Sequence, residues 1–138
     1  MVLAIDYGRK RMGLAISDET ETIAVAMPAI ISKTPKQTFA ELKDIFKKYG
    51  IDKVVIGAPL GLEEKPTQMS EEVKKFSTDL LKHIKTDVSF WNETFTSHIA
   101  KKNLKKDNRS GKLDSESARI ILQEYLDYQK EFNWLKKQ

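Results

Sequence analysis

VLAIDYGRKRMGLAI, residues 2–16, runs from an apolar segment into a carboxylate and a glycine, through three consecutive cations, and back into an apolar segment. Val2–Tyr7 has the length and composition of a buried strand, and Leu14–Ser17 continues as its antiparallel neighbour. Gly8 supplies the backbone freedom that the turn between them needs. Asp6 then falls near the C-terminal end of the first strand. A carboxylate there, against an apolar core, is costly unless something pairs with it. Two kinds of partner are open: a cation of the turn (Arg9, Lys10 or Arg11), the common fate of a buried charge, or a bound metal ion.

Outward from this hairpin, Ile23–Ile31 is a third apolar run, and Pro28 within it suits an edge strand or a bulge. Asp18 lies at the far end of the second strand from Asp6 and reads as a turn residue. Thr34-Pro35-Lys36-Gln37 combines a capping hydroxyl with a proline at the first helical position. Phe39, Leu42, Ile45, Phe46 and Tyr49 follow at helical spacing, and Gly50 closes the helix. KVVIG, residues 53–57, suits a strand buried on both faces. Ala58–Met69 is a long loop, the place where α/β proteins put binding functions. Val73, Phe76, Leu80, Leu81 and Ile84 then mark an amphipathic helix, and Asp87–Trp91 a fifth strand. A helix through Ile99 and Leu104 to about Lys106, a basic loop over residues 107–111, and a last helix from near Asp114 carrying Ile121, Leu122, Tyr125 and Leu126 complete the chain. The order β-β-β-α-β-α-β-α-α predicts an α/β fold: a mixed five-stranded sheet with three antiparallel N-terminal strands and helices on both faces.

The 138 residues are expected to form one domain, 1–138, large enough for such a sheet and too small for two full lobes. Without cysteine, a disulfide framework, a zinc ribbon and a thiol nucleophile are excluded. The sequence enters its first strand without a leader, and no apolar run approaches membrane-spanning length, so a cytoplasmic protein without a membrane partner is expected. The net charge of +4, from 24 Lys and Arg against 20 Asp and Glu, says little by itself. Its distribution says more, because cations gather at Arg9–Arg11, at Lys101–Arg109 with Lys112, and at the tail.

Asp6 ends the first strand, Glu93 follows the fifth, and Asp114 begins the last helix. If the two strands are parallel and the helix crosses their ends, the three carboxylates make an all-oxygen site suited to Mg²⁺ or Mn²⁺. Two such ions can activate water and stabilise the leaving oxygen of a phosphodiester. Arg9, Lys10, Arg11, Lys101, Lys102, Lys105, Arg109 and Lys112 would then hold backbone phosphates. Each also has a plainer role. Asp114 suits a helix N-cap, Glu93 a solvated strand end, and Lys101–Lys106 a solvated helix face. His83 and His98 lack ligand spacing and read as surface or partly packed side chains. Trp91 and Trp134 read as core and tail packing.

DYGRKRMGLAISD at 6–18, GAP at 57–59, NET with Thr96 at 92–96, and KLDSESARIILQEYLD at 112–127 resemble, in order and over nearly the whole chain, the four motifs of the YqgF family, also called RuvX. Its members are described as Holliday-junction resolvases or pre-16S ribosomal RNA nucleases with an RNase H-like fold. The resemblance implies that fold, a central first strand, and nuclease chemistry from Asp6, Glu93 and Asp114 with a divalent metal. It also implies that the loop from Pro59 to Met69 lies beside the site. The third motif departs from the family's Asp-Glu-Arg: Asn92 removes a charge and Thr94 removes a bidentate phosphate donor, while Glu93 is retained. Glu63 and Glu64 stand where the family has Asn and Asp, and Ser117-Ala118 where it has an alanine pair.

The expected activity is metal-dependent endonucleolytic cleavage of structured nucleic acid, with ribosomal RNA precursor preferred over a DNA junction on the resemblance alone. Two alternatives belong to other classes. One is a binding module associated with RNA or ribosomal particles, favoured by Asn92 and Thr94. The other is an actin-like ATP phosphotransferase, disfavoured because such proteins hold nucleotide between two lobes. A junction resolvase needs two active sites and hence a dimer, yet no apolar stripe demands one; monomer and homodimer both stay open.

Overall fold

A computed structural model describes residues 1–31, 34–58, 68–92 and 112–136, with side chains from residue 115 onward in the last segment. The described elements are β1 (Val2–Asp6), β2 (Arg11–Ser17), β3 (Ala24–Ile31), α1 (Pro35–Tyr49), β4 (Lys53–Ala58), α2 (Gln68–His83), β5 (Asp87–Asn92) and α3 (Lys112–Lys136). The helix expected over residues 99–106 and the basic loop after it lie outside the described residues. The five strands form one sheet in the order β3-β2-β1-β4-β5. β1 pairs antiparallel with β2 and parallel with β4, and β4 pairs parallel with β5, so β1 is central and runs in the same direction as β5.

The period-two alternation of β1 divides the core. Leu3 and Ile5 join Leu14, Val54 and Ile56 under Leu42 of α1 and Leu80 of α2. Val2 and Ala4 face the other way, with Ala15, Ala24 and Val55, against Ala118, Ile121, Leu122, Tyr125 and Leu126 of α3. The second face is rich in alanine, which lets α3 lie close to the sheet. α1 has the expected ends: Thr34 Oγ1 accepts from Gln37 N–H at 3.2 Å, and Gly50 sits in the left-handed region at φ 65°.

The hairpin is tighter than the sequence suggests. β2 begins at Arg11 instead of Leu14, so Arg11 is a strand residue paired with Ile31 and Asp6 pairs with Gly13. The reason is space at Gly8. A Cβ there would lie 2.2 Å from the Arg11 carbonyl oxygen, so the turn closes only around a residue without a side chain. β3 is an edge strand, and the β2–β3 register shifts between Met12 and Leu14, opposite the segment containing Pro28. At this irregularity Leu14 N–H is directed to Ser115 Oγ of α3, 3.4 Å away.

Three smaller expectations change. Leu81 is 49% exposed, because α2 buries the Val73, Phe76 and Leu80 stripe and turns Leu81 off it. Trp134 is 59% exposed on the last turns of α3 instead of packing the tail, because α3, about 37 Å long, outruns the strands it covers. The last helix begins at Lys112, which puts Asp114 in its first turn and not at the cap. Trp91 does pack, edge-on to Tyr125 and Tyr128, and its Nε1 donates to Glu124 Oε2 at 3.2 Å. His83 stacks on Phe39 with ring centroids 4.5 Å apart.

Asp18 organises the β2–β3 turn. Its carboxylate accepts from Thr20 Oγ1 at 2.8 Å, Thr22 N–H at 2.8 Å and Ile23 N–H at 3.2 Å, bonds that hold its pKa below the ordinary carboxylate value, with Thr22 N–H the largest cause. A carboxylate lowered in the folded state stabilises above its unfolded pKa, and the contribution disappears as pH falls through the lowered value. Asp18→Asn is therefore less stable than wild type at neutral pH, and denaturant titrations at decreasing pH find that gap closing below the ordinary carboxylate range. Gly8→Ala forces the turn open and costs about 1–3 kcal/mol in the same unfolding assay.

Candidate active site

Asp6 is 3% exposed at the C-terminal end of the central strand, where the alternation puts it on the face of Val2 and Ala4, beneath α3. In register it stands beside Gly57 of β4, which in turn stands beside Trp91 of β5. Two strand spacings, about 10 Å, therefore separate Asp6 from the part of β5 that ends at Asn92, one residue before Glu93. Glu93 itself lies outside the described residues.

The other approach to Asp6 is from α3, which runs antiparallel to β1. At the far end of the sheet Gln123 fixes it, accepting from Ala24 N–H at 2.9 Å and donating to Thr22 O at 2.9 Å. At the near end Ser115, 3% exposed, takes the Leu14 N–H. Leu14 pairs with Ile5, and the next pair of the ladder is Gly13 with Asp6. The residue following Asp114 is thus anchored one ladder position from Asp6. The Asp114 and Lys112 side chains lie outside what the structure describes, although both residues are helical.

Among the turn cations, Arg9 is engaged with α2. Its Nε donates to both carboxylate oxygens of Glu72 at 3.0 Å, and its guanidinium is 2.8 Å from Oε1, so this pair raises the Arg9 pKa. Lys10 is exposed and Arg11 half-buried in β2. Tyr7, half-buried, has its hydroxyl pKa raised by burial and then by the Glu72 charge. Lys101, Lys102, Lys105 and Arg109 lie outside the described residues. Within those residues no three His, Asp or Glu side chains form a metal-binding group, since two of the three expected carboxylates are not among them.

Sequence reasoning missed Glu72 as the partner of Arg9, and Ser115 as the anchor of α3. Small polar residues on the otherwise apolar packing face of a helix were the available signal for the second. Ser117 belongs to the same group: it is 2% exposed and its Oγ has no hydrogen-bond partner among the described residues. One helical turn from Asp114, this hydroxyl and the buried Asp6 carboxylate are oxygen donors of the kind a hard divalent cation or its water shell uses. A groove of about 530 Å³ among the described residues is elsewhere, lined by Val2, Lys53, Tyr125, Lys130 and Trp134 at the opposite end of β1.

A family profile described as "RuvX: Holliday junction resolvase" matches residues 1–128. The chain belongs to the RuvX family. Among curated relatives, a protein of Sulfurihydrogenibium named "Putative pre-16S rRNA nuclease" is 39% identical over 131 residues, covering 91% of this chain and 89% of its own. A protein of the same name from Flavobacterium psychrophilum is 38% identical and covers 91% and 95%. Among solved structures, Thermus thermophilus RuvC in complex with a Holliday junction superposes with a TM-score of 0.58 at 13% identity, covering 94% of both chains. The fowlpox virus resolvase bound to junction DNA gives 0.55 at 15% identity, covering 92% and 97%. The fold is thus RuvC-like and RNase H-like, with the sheet order β3-β2-β1-β4-β5.

Ser115→Ala leaves Leu14 N–H buried without its acceptor and loosens the start of α3. A loss of about 1–2 kcal/mol is expected in denaturant unfolding, with faster amide exchange at Leu14 than in wild type.

Proposed function

We propose that this RuvX-family protein is a metal-dependent endonuclease that processes precursor 16S ribosomal RNA. The observation that carries the reading is the buried carboxylate of Asp6 at the end of the central strand, with the start of α3 anchored beside it. The names of its relatives support the RNA substrate, and the junction complexes of its structural neighbours support nucleic acid as the polymer.

Asp6, Glu93 and Asp114 are the residues that would hold Mg²⁺ or Mn²⁺. The bound ions would lower the pKa of the attacking water and neutralise charge on the leaving oxygen. The chain's own part is to hold these carboxylates in place. Packing of α3 on the alanine-rich face holds Asp6 out of water, where its charge acts with little screening. Ser115 fixes the register of the helix start, and the Ser117 hydroxyl, buried without a hydrogen-bond partner among the described residues, would offer a further oxygen to a cation's water shell. Lys10, Arg11, Lys101, Lys102, Lys105, Arg109 and Lys112 are the proposed phosphate contacts. Arg9, tied to Glu72, is assigned to position the turn and to present its outer face to the strand.

The test is cleavage of labelled precursor 16S RNA and of a four-way DNA junction with Mg²⁺ or Mn²⁺, for wild type and Asp6→Asn. Metal-dependent cutting of the RNA, reduced more than about a hundredfold in the variant, is expected. Preferential cutting of the junction would replace the RNA substrate with DNA. Equal binding by both proteins without cutting would identify a binding module instead.

A further inference from the structure

Beside the overhang of α3, the groove of about 530 Å³ opens at the end of β1 away from Asp6. Buried Val2, Tyr125 and Leu126 line its base, and Thr20, Glu21 and Thr22 of the β2–β3 turn supply one wall. Gln129, Lys130, Asn133 and Trp134 of α3 supply the other. Trp134 is 59% exposed, and its indole makes no ring contact among the described residues. It also borders a second hollow of about 290 Å³, shared with Asp127, Lys130 and Glu131, so the ring meets open space on two sides.

Two lysines give the groove its sign. Lys53, half-buried at the start of β4, has its Nζ 5.7 Å from the centroid of the Tyr125 ring. The Tyr125 side chain is only 4% exposed, and its hydroxyl holds the Lys53 pKa above the ordinary lysine value. Glu21 and Asp87 act on this ammonium from beyond ion-pair distance, and exposed Lys130 has no ion-pair partner among the described residues. Against these two cations the groove lining has one carboxylate, Glu21, whereas the second hollow sets Asp127 and Glu131 against Lys130. An anion is therefore drawn to the groove side of the indole, where Tyr125 already positions one charge for it. An open indole, two cations and the Gln129 and Asn133 amides match the ring, phosphate and base edge of a nucleotide. The position supplies the source. From Ser115, anchored beside Asp6, nineteen helical residues lead to Trp134, about 30 Å that about nine stacked nucleotides would span.

We infer that this groove is an exosite for an unpaired nucleotide of the substrate RNA, remote from the scissile bond, with the base on Trp134 and the phosphate between Lys53 and Lys130. The assignment rests on the nuclease reading for the identity of the strand, and on the groove alone for nucleotide binding. Such a contact selects single-stranded over paired segments, because a base within a duplex has no free face to stack. It also selects by length, since a strand too short to reach from Asp6 to Trp134 gains nothing from holding both.

The experiment is a tryptophan-fluorescence titration of the full chain in a metal chelator. The ligands are a single-stranded RNA of about twenty nucleotides, its duplex, a strand of about four nucleotides, and adenosine monophosphate. The expected result is quenching by the long single strand, with weaker binding of the short strand and of the duplex. Trp134→Ala retains Trp91 as an emitter; it is expected to lose the quench and to bind the long strand about tenfold more weakly. Lys130→Glu is expected to weaken the long strand likewise; both positions are exposed on the overhang, clear of the sheet. No quench, a quench retained in Trp134→Ala, unchanged affinity in either variant, or equal binding of the duplex would each overturn the exosite. So would quenching by the mononucleotide as strong as by the long strand, which assigns the groove to a free nucleotide. A blue shift with protein concentration alone would overturn it too, by assigning this face to a second copy of the chain. The cleavage assay reads the nuclease separately: a protein that cuts RNA without this quench keeps the activity and loses the exosite, and one that shows the quench without cutting does the reverse.

Discussion

A carboxylate held almost wholly out of water at the end of the central strand is the constraint to which the rest of the molecule answers. Removing Asp6 from solvent is unfavourable by itself, and the chain does it with the best-packed part of the fold. The strand that carries it is buried along its whole length, paired on both sides, and covered by helices on both faces. α3 completes the enclosure. Its small residues lie against the small residues of β1 and β2, and polar bonds at each end, Ser115 with Leu14 and Gln123 with Thr22 and Ala24, stop it sliding along the sheet.

The two faces of the sheet meet at the hairpin turn. On one side stand Asp6 and the start of α3; on the other, Tyr7, the Arg9–Glu72 pair and the aromatic row that continues through Phe76 and Phe39 to His83. Gly8 lets a single tight turn serve both, since the Arg11 carbonyl occupies the volume of the side chain that the residue lacks. The Arg9–Glu72 contact is exposed, and its value lies less in stability than in fixing the direction of the turn relative to α2.

Most of the fold was legible in the sequence because its signals are local. The Thr34 cap, the Gly50 stop, the Phe39–Leu42–Phe46 stripe and the β-branched run at Lys53–Gly57 each carry their own reading, and Pro28 marked the edge strand correctly. The start of β2 was misjudged because Arg11 and Met12 look like turn residues until the close approach at Gly8 is seen in three dimensions. Leu81 and Trp134 were misassigned because hydrophobicity alone does not show where a helix outruns the surface it covers. Of the candidate site, the position of Asp6 could be read directly, since an acid following four apolar residues falls at the end of a buried strand, where it needs a partner. Glu72 and Ser115 act through partners distant in sequence, and no local pattern announces a pairing between residues 9 and 72 or 14 and 115.

Pro28 has a further consequence at the sheet's open margin. β3 leaves Val25 and Ile31 exposed, 52% and 61%, on a strand with no neighbour on its outer side among the described residues. An uninterrupted edge of that composition is a template on which a second chain can add its own strand and begin aggregation. The missing amide proton of Pro28 and the irregular pairing beside it break the regular row of donors such an addition requires. The kink that directs Leu14 to α3 therefore also guards the molecule's solubility at high concentration.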